Sequence, residues 1–162
     1  AVVTVYHVSV PETLLYARDR MRETFGQDKF WQWEDAYGKN VDDKRVRLLK
    51  DVPDHRDCVR IEVVDLAANW NRKDGFVPKD IRGPKSTTFA VIYAAAQNPE
   101  WVRQMDGQKV PYALVGGLEL NVPGSKAWAY LPDVWRYGGV AKLYGCWCDG
   151  GYRGSAMPSL WE

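Results

Sequence analysis

Few residues of this chain could carry chemistry, and the first of them is His7. It lies within Val2–Val10, a β-branched and aromatic run that predicts a strand covered on both faces. An imidazole there must be hydrogen-bonded, and its pKa is easily displaced. Strand alternation places Arg60 and Glu62 on one face of a later strand, and the three polar groups could meet in one cavity. The alternatives are a core histidine and a solvent-facing pair.

The cysteines and the second histidine offer a rival metal site. His55-x-x-Cys58 and Cys146-x-Cys148 supply four ligands of the types that zinc accepts. Cys-x-Cys is a poor chelate spacing, however, and three cysteines also read as unlinked thiols in a reducing compartment. The sequence therefore favours no metal and keeps zinc as an alternative.

A basic, glycine-containing segment spans residues 66–86. Its Arg72, Arg82 and Lys85 could bind phosphate, because arginine forks and the backbone near glycine suit oxyanions. Aspartates dilute the local charge, so a solvated linker is the other interpretation. With 22 Lys+Arg against 21 Asp+Glu, a net charge of +1 argues against duplex nucleic acid as the partner.

The surplus of aromatic residues gives the main functional indication. The chain has 8 Trp and 9 Tyr, which favours a ligand cleft or a partner surface. Trp31 and Trp33 share a strand face, and Trp128 stands near Tyr130; we expect these tryptophans to be stacking surfaces, with core packing as the alternative. The predicted function is binding of a small aromatic or cationic ligand in a Trp/Tyr-lined cup, with His7, Arg60 and Glu62 as its polar groups.

The predicted elements give an α+β fold of mainly antiparallel strands in two β-α-β-β-β halves. Half 1 covers residues 1–65, a connector 66–86, half 2 residues 87–148 and a tail 149–162, all within a single domain. The expected elements of half 1 are the strand Val2–Val10, a helix from about 11 to 25 that ends at Gly26, and strands at 30–33, 45–49 and 58–64. Those of half 2 are a strand at 87–93, a helix from Asn98 to Gly107, and strands at 111–121, 127–131 and 140–148.

The run His7-Val8-Ser9-Val10, a helix holding Leu15-Tyr16, and then Phe25-Gly26 resemble the opening of the vicinal oxygen chelate superfamily. That superfamily includes glyoxalases, ring-cleaving dioxygenases and bleomycin-resistance proteins. The resemblance covers the first 26 residues in sequence and the whole chain in element order. It implies paired β-α-β-β-β modules, with His7 and Glu62 at places where the family has metal ligands.

The second half departs from the family's metal pattern. The segment 87–95 has no histidine, and 140–148 has no carboxylate. The resemblance therefore implies a relation to the metal-free binding members, whose paired cups are lined by aromatic side chains.

A second resemblance supports an enzymatic alternative. Tyr6-His7-Val8-Ser9 followed by a helix is similar to the first motif of ADP-ribosyltransferase-type folds, where the histidine holds the nicotinamide ribose of NAD. The Tyr and Glu that the family also needs are open among the later residues Tyr37, Tyr93, Glu62 and Glu119.

Setting and partners follow from composition. No apolar run is long enough to span a membrane, and no leader precedes the first strand, so we expect a soluble, cytoplasmic protein. The glycine-rich tail ends in Trp161 and could dock on its own domain or on a partner, which would make the chain a protein-interaction module. A homodimer is left open.

Overall fold

The computed structural model describes residues 2–7, 14–53 and 60–160, and the side chains of 14–53 and 63–160. Within these ranges the helices are α1 (Leu14–Phe25), α2 (Glu34–Tyr37), α3 (Pro78–Ile81), α4 (Phe89–Gln97) and α5 (Pro99–Arg103). The strands are β1 (Val2–His7), β2 (Phe30–Gln32), β3 (Val46–Leu48), β4 (Arg60–Asp65), β5 (Tyr112–Leu114), β6 (Leu118–Leu120), β7 (Tyr130–Tyr137), β8 (Val140–Trp147), β9 (Ser155–Ala156) and β10 (Ser159–Leu160).

The strands form a small and a large sheet. The small sheet has the order β1-β4-β10 and is antiparallel throughout. The large sheet has the order β2-β8-β7-β5-β9, and β6 pairs with both β3 and β7. The pairs β2–β8 and β5–β9 are parallel, and the others are antiparallel. The expected α+β class with mainly antiparallel strands is confirmed.

The first half follows the predicted order. Helix α1 ends at Phe25, and Gly26 follows it with a φ of 82° that favours glycine. Strands β2, β3 and β4 lie within or next to the ranges that alternation and turn residues predict, and the short helix α2 is an addition between β2 and β3. Residues 8–13 and 54–59 lie outside the described part of the chain.

The second half differs from the prediction at its first element. The predicted strand at 87–93 is helix α4, whose residues from Phe89 to Ala95 are all buried. A fully buried helix is apolar on every side, so its sequence shows no helical period and resembles a buried strand. The second half therefore begins with the helices α4 and α5, and the matching β-α-β-β-β order does not extend to it.

The predicted strand 111–121 is two strands, β5 and β6, separated by a turn at Gly116-Gly117. Gly117 donates its N–H to the carbonyl of Thr87 at 2.8 Å. A Cβ at Gly117 would lie 2.6 Å from that carbonyl oxygen, so a side chain is excluded there. The close approach of the chain explains the break.

The main core combines residues of both halves, with Leu14, Met21, Ile92, Val134 and Leu143 among its fully buried side chains. A second, small cluster of Leu114, Leu131, Cys148 and Met157 lies under the C-terminal segment. Among the helices of the described ranges, none has the length and apolar character that crossing a membrane requires.

Candidate functional site

The predicted polar trio lies on the small sheet. The register of β1 and β4 pairs His7 with Arg60 and Val5 with Glu62. Residues two apart on a strand share a face, and residues paired across two strands share it too. His7, Arg60 and Glu62 therefore occupy positions on the same face of the small sheet. Their side chains are outside the described set, and the prediction that they form a polar site stays a prediction.

Trp31 and Trp33 are brought together by Tyr144. The Tyr144 ring stacks on Trp33 with centroids 4.8 Å apart and on Trp31 at 5.5 Å. Trp128 lies elsewhere: the guanidinium of Arg47 stands 4.1 Å from its ring centroid and pairs with Glu119 at 3.3 Å. The structure therefore joins two of the three predicted stacking residues.

These two tryptophans belong to a continuous aromatic surface on the large sheet. Its rings contact one another and are half-exposed or exposed; they are Trp31, Trp33, Tyr112, Tyr130, Trp135, Tyr137, Tyr144 and Trp147. The ammonium of Lys142 stands 4.6 Å from the Trp31 centroid and 5.8 Å from that of Trp135. The Lys142 ammonium thus stands over the rings where a cationic ligand would stand, and the rings pack against each other.

The alternative zinc set is only half described. His55 and Cys58 lie outside the described residues. Burial raises the pKa of both Cys146 and Cys148, which disfavours the thiolate form that zinc binds. Among the described residues there is no group of three or more His, Cys, Asp or Glu side chains that could hold a metal.

The predicted phosphate-binding residues occupy separate local structures. Arg72 is exposed in a turn, Arg82 follows α3, and Lys85 lies in the turn before an isolated bridge at Ser86. Three of the four open candidates of the NAD-using alternative are buried: Tyr37 donates its hydroxyl to the Tyr144 carbonyl, and Tyr93 and Glu119 are at most 8% exposed. The side chain of the fourth, Glu62, lies outside the described set. No finding tests either prediction.

A cavity of about 640 Å³ opens beside helix α5, in a region that the sequence did not single out. We call it the tryptophan cavity. Its lining residues are Leu66, Ala67, Trp70, Gln97, Asn98, Pro99, Glu100, Trp101, Gln104, Lys109, Val110 and Pro111. The apolar members are buried or half-buried, and Gln97, Glu100, Gln104 and Lys109 are exposed at the rim.

The first wall is the turn that follows β4. The Asp65 side chain accepts the N–H of Ala67 at 3.0 Å, and the N–H of Trp70 bonds to the Ala67 carbonyl at 3.3 Å. Asn69 adopts a φ of 62°, and its amide donates to the Met157 carbonyl at 3.0 Å. These contacts hold Trp70 at the cavity and tie the turn to the C-terminal segment.

The second wall is the junction of α4 and α5. Asn98 bonds to the Ala94 carbonyl through both its backbone N–H and its side-chain amide, at 2.9 and 3.0 Å. Pro99 then begins α5. Proline is tolerated there because the first N–H groups of a helix have no acceptor within the helix. The N–H of Trp101 donates to the Asn98 carbonyl at 3.0 Å. The junction at Asn98, where α4 ends and α5 begins, places the Trp101 ring against the cavity.

The third wall is a loop that one carboxylate organises. Asp106 Oδ1 accepts the N–H groups of Gln108, Lys109 and Val110 at 2.8, 2.8 and 3.0 Å. These bonds, with that of Val110 the largest contribution, lower the pKa of Asp106 to about 2. The loop thereby presents Lys109, Val110 and Pro111 as a wall.

The chemistry of the cavity is that of a binding pocket. Its volume lies in the range of about 300–1,000 Å³ that is usual for small-molecule sites. The indole N–H of Trp70 is buried and has no hydrogen-bond partner among the described residues. Rim charges are one of each sign, and Glu100 is already paired with Arg103. An apolar planar molecule fits this lining best.

Comparisons with known proteins give no match to a family model, to a curated protein or to a solved structure. Function must therefore be inferred from the geometry of the site.

Sequence reasoning missed this site because its walls come from segments 66–70, 97–104 and 109–111, which share no period. The available signals were Trp70 within the turn-rich connector 66–86 and Trp101 just after Asn98-Pro99.

Proposed function

We propose that the protein binds a small, uncharged aromatic molecule in the tryptophan cavity. The observation that carries this proposal is a concavity of about 640 Å³ with an apolar interior and two half-buried tryptophans in its lining. The proposal keeps the aromatic ligand that the sequence predicts, drops the cationic one, and moves the site from Trp31, Trp33 and Trp128 to Trp70 and Trp101.

The charges of the lining favour a neutral ligand over a cationic one. Glu100 is largely exposed and forms an i,i+3 ion pair with Arg103, and Lys109 adds a positive charge at the same rim. A quaternary ammonium ligand would find no uncompensated carboxylate in this lining. The mainly apolar interior instead favours an uncharged ring system.

The expected affinity is moderate. At about 0.3 kcal/mol per non-hydrogen atom, a ligand of about 20 atoms gains roughly 6 kcal/mol, which corresponds to a dissociation constant of tens of micromolar. A bicyclic probe of about ten non-hydrogen atoms gains roughly half as much, so its dissociation constant should be millimolar and the titration must reach millimolar concentrations.

The test uses quinoline and its permanently charged relative N-methylquinolinium as probes of tryptophan emission. Quinoline should quench emission saturably, and N-methylquinolinium should bind more weakly. Trp101→Leu should weaken quinoline binding about fivefold, since an aromatic contact contributes roughly 1 kcal/mol beyond area burial. Trp70→Leu, which removes the other ring of the lining, should weaken quinoline binding by a similar factor.

Trp147→Leu is the matched control, because Trp147 is 43% exposed and does not line the cavity. Melting temperatures of all variants confirm that they are folded. Equal quinoline affinity in the Trp101→Leu and Trp147→Leu proteins, or no saturable quenching by any planar probe, would contradict the proposal.

A further inference from the structure

A second concavity, of about 460 Å³, lies beside the hairpin of β7 and β8 and is lined by cations. We call it the cationic cleft. Its lining residues are Phe25, Lys29, Val102, Arg103, Arg136, Gly139 and Ala141. Three of these seven residues are positively charged, and none is acidic.

Two of the three cations have no acidic partner within the described part of the chain. Arg103 pairs with Glu100 on its own helix. Neither Lys29 nor Arg136 forms an ion pair with another described residue. Arg136 donates one N–H to the Met105 carbonyl at 3.3 Å, which anchors the side chain and leaves its other donors available.

The cleft has an apolar side as well. Phe25, Val102 and Ala141 line it, and the Arg103 guanidinium stands 6.0 Å from the Phe25 ring centroid. An ion without an organic body would leave this surface uncovered. Arginine forks match the oxygens of phosphate, and a lysine adds a point charge.

From this arrangement we infer that the cationic cleft binds a small organic phosphate, with the phosphate between Lys29 and Arg136 and the apolar body against Phe25. This site is distinct from the tryptophan cavity, although α5 supplies Trp101 to one and Arg103 to the other. It also differs from the connector residues Arg72, Arg82 and Lys85, which do not line the cleft.

The probe for this site is phenyl phosphate, followed by amide chemical shifts in two-dimensional NMR of the whole chain. The amides of Lys29, Arg136 and Gly139 should shift saturably, and the dissociation constant should rise with salt because the contacts are ionic. Arg136→Gln should weaken binding about tenfold, as expected for loss of a charged hydrogen bond. Arg136→Lys, which keeps the charge and loses the fork, should lie between.

Arg153→Gln is the matched control, because it removes one exposed arginine charge that lines neither cavity and should leave phenyl phosphate affinity unchanged. Phenol, the uncharged relative of the probe, should not shift the Lys29 and Arg136 amides. The inference is overturned if phenyl phosphate shifts none of the three amides at millimolar concentration. It is also overturned if folded Arg136→Gln and Arg153→Gln proteins bind it equally.

Discussion

At the scale of single residues, Asp133 places a carboxyl group where a charge is costly. The residue lies on β7, is 9% exposed, and its Oδ1 has no hydrogen-bond partner among the described residues. Burial raises the pKa of Asp133 to about 7. The folded protein therefore holds this proton more tightly than the unfolded chain, in which an aspartate titrates near pH 4.

Because the pKa is higher in the folded state, ionisation of Asp133 should lower the free energy of unfolding as the pH rises. The stabilisation by the bound proton is complete below about pH 4 and is lost as the pH rises to 7, at up to about 1.4 kcal/mol for each unit. Asp133→Asn cannot ionise, so its free energy of unfolding relative to the natural protein should increase across this window. Urea unfolding at pH 4, 5.5 and 8 measures the effect. A relative stability that is the same at all three values would contradict it.

At the scale of elements, the loop 107–110 is organised by the side chain of Asp106. The Asp106 carboxylate accepts three N–H groups of residues 108–110, and the Val110 carbonyl accepts the backbone N–H groups of Asp106 and Gly107. Because the pKa of Asp106 is low, the carboxylate bonds are complete above about pH 4 and weaken as the pH falls toward 2. Gly107 is required beside it, because its φ is 73° and a Cβ would lie 2.8 Å from the Tyr112 ring.

Asp106→Ala should therefore loosen the loop without unfolding the sheets. The amides of Gln108, Lys109 and Val110 should exchange with deuterium faster, and quinoline should bind less tightly because one cavity wall is mobile. Asp74→Ala removes an exposed aspartate from another turn and serves as the control. Unchanged exchange at 108–110 would show that the loop is held by other contacts.

Helix α4 shows which elements a single sequence can and cannot reveal. Alternation found β4 because this strand has polar positions between apolar ones, and Gly26 marked the end of α1. In Phe89–Gln97 nearly every residue is buried, so neither a period of two nor one of 3.6 is visible. The three alanines at 94–96 were the available helix signal.

The candidate site was less predictable than the fold. Trp70, Trp101 and Val110 come together only because a turn, a helix junction and a loop meet at one end of α5. Composition indicated an aromatic-lined site, but it could not separate the lining tryptophans from those that pack on the sheet surface. Trp31 and Trp33, which share a strand region and looked best placed, stack on Tyr144 instead.

At the scale of the whole molecule, the C-terminal segment joins the two sheets. We call residues 150–160 the strap. Its β9 pairs with β5 in the large sheet, and its β10 pairs with β4 in the small one. Between them, the Pro158 carbonyl accepts the Thr87 hydroxyl at 3.1 Å. The described part of the tail, which the sequence offered as a docking segment, thus docks on its own protein.

Met157 is the buried centre of the strap, at 1% exposure against Leu114 and Leu131. The fit is close, since a Cβ at Gly116 would lie 2.5 Å from the Met157 sulfur. Met157→Ala should lower the free energy of unfolding by about 2–5 kcal/mol, through lost burial and a residual cavity. Ile81→Ala, at a 40% exposed position, should cost less than about 1 kcal/mol in the same urea titration.

Ending the chain at Asp149 should have a larger effect than either substitution. It would leave an edge of β4 and an edge of β5 unpaired and would expose the small cluster of Leu114 and Leu131. Because the strap contacts both sheets, we expect the shortened chain to lose its cooperative transition, with tryptophan emission and far-UV circular dichroism melting at different temperatures. A shortened chain that unfolds in one coincident transition at the original temperature would show that the sheets hold together without the strap.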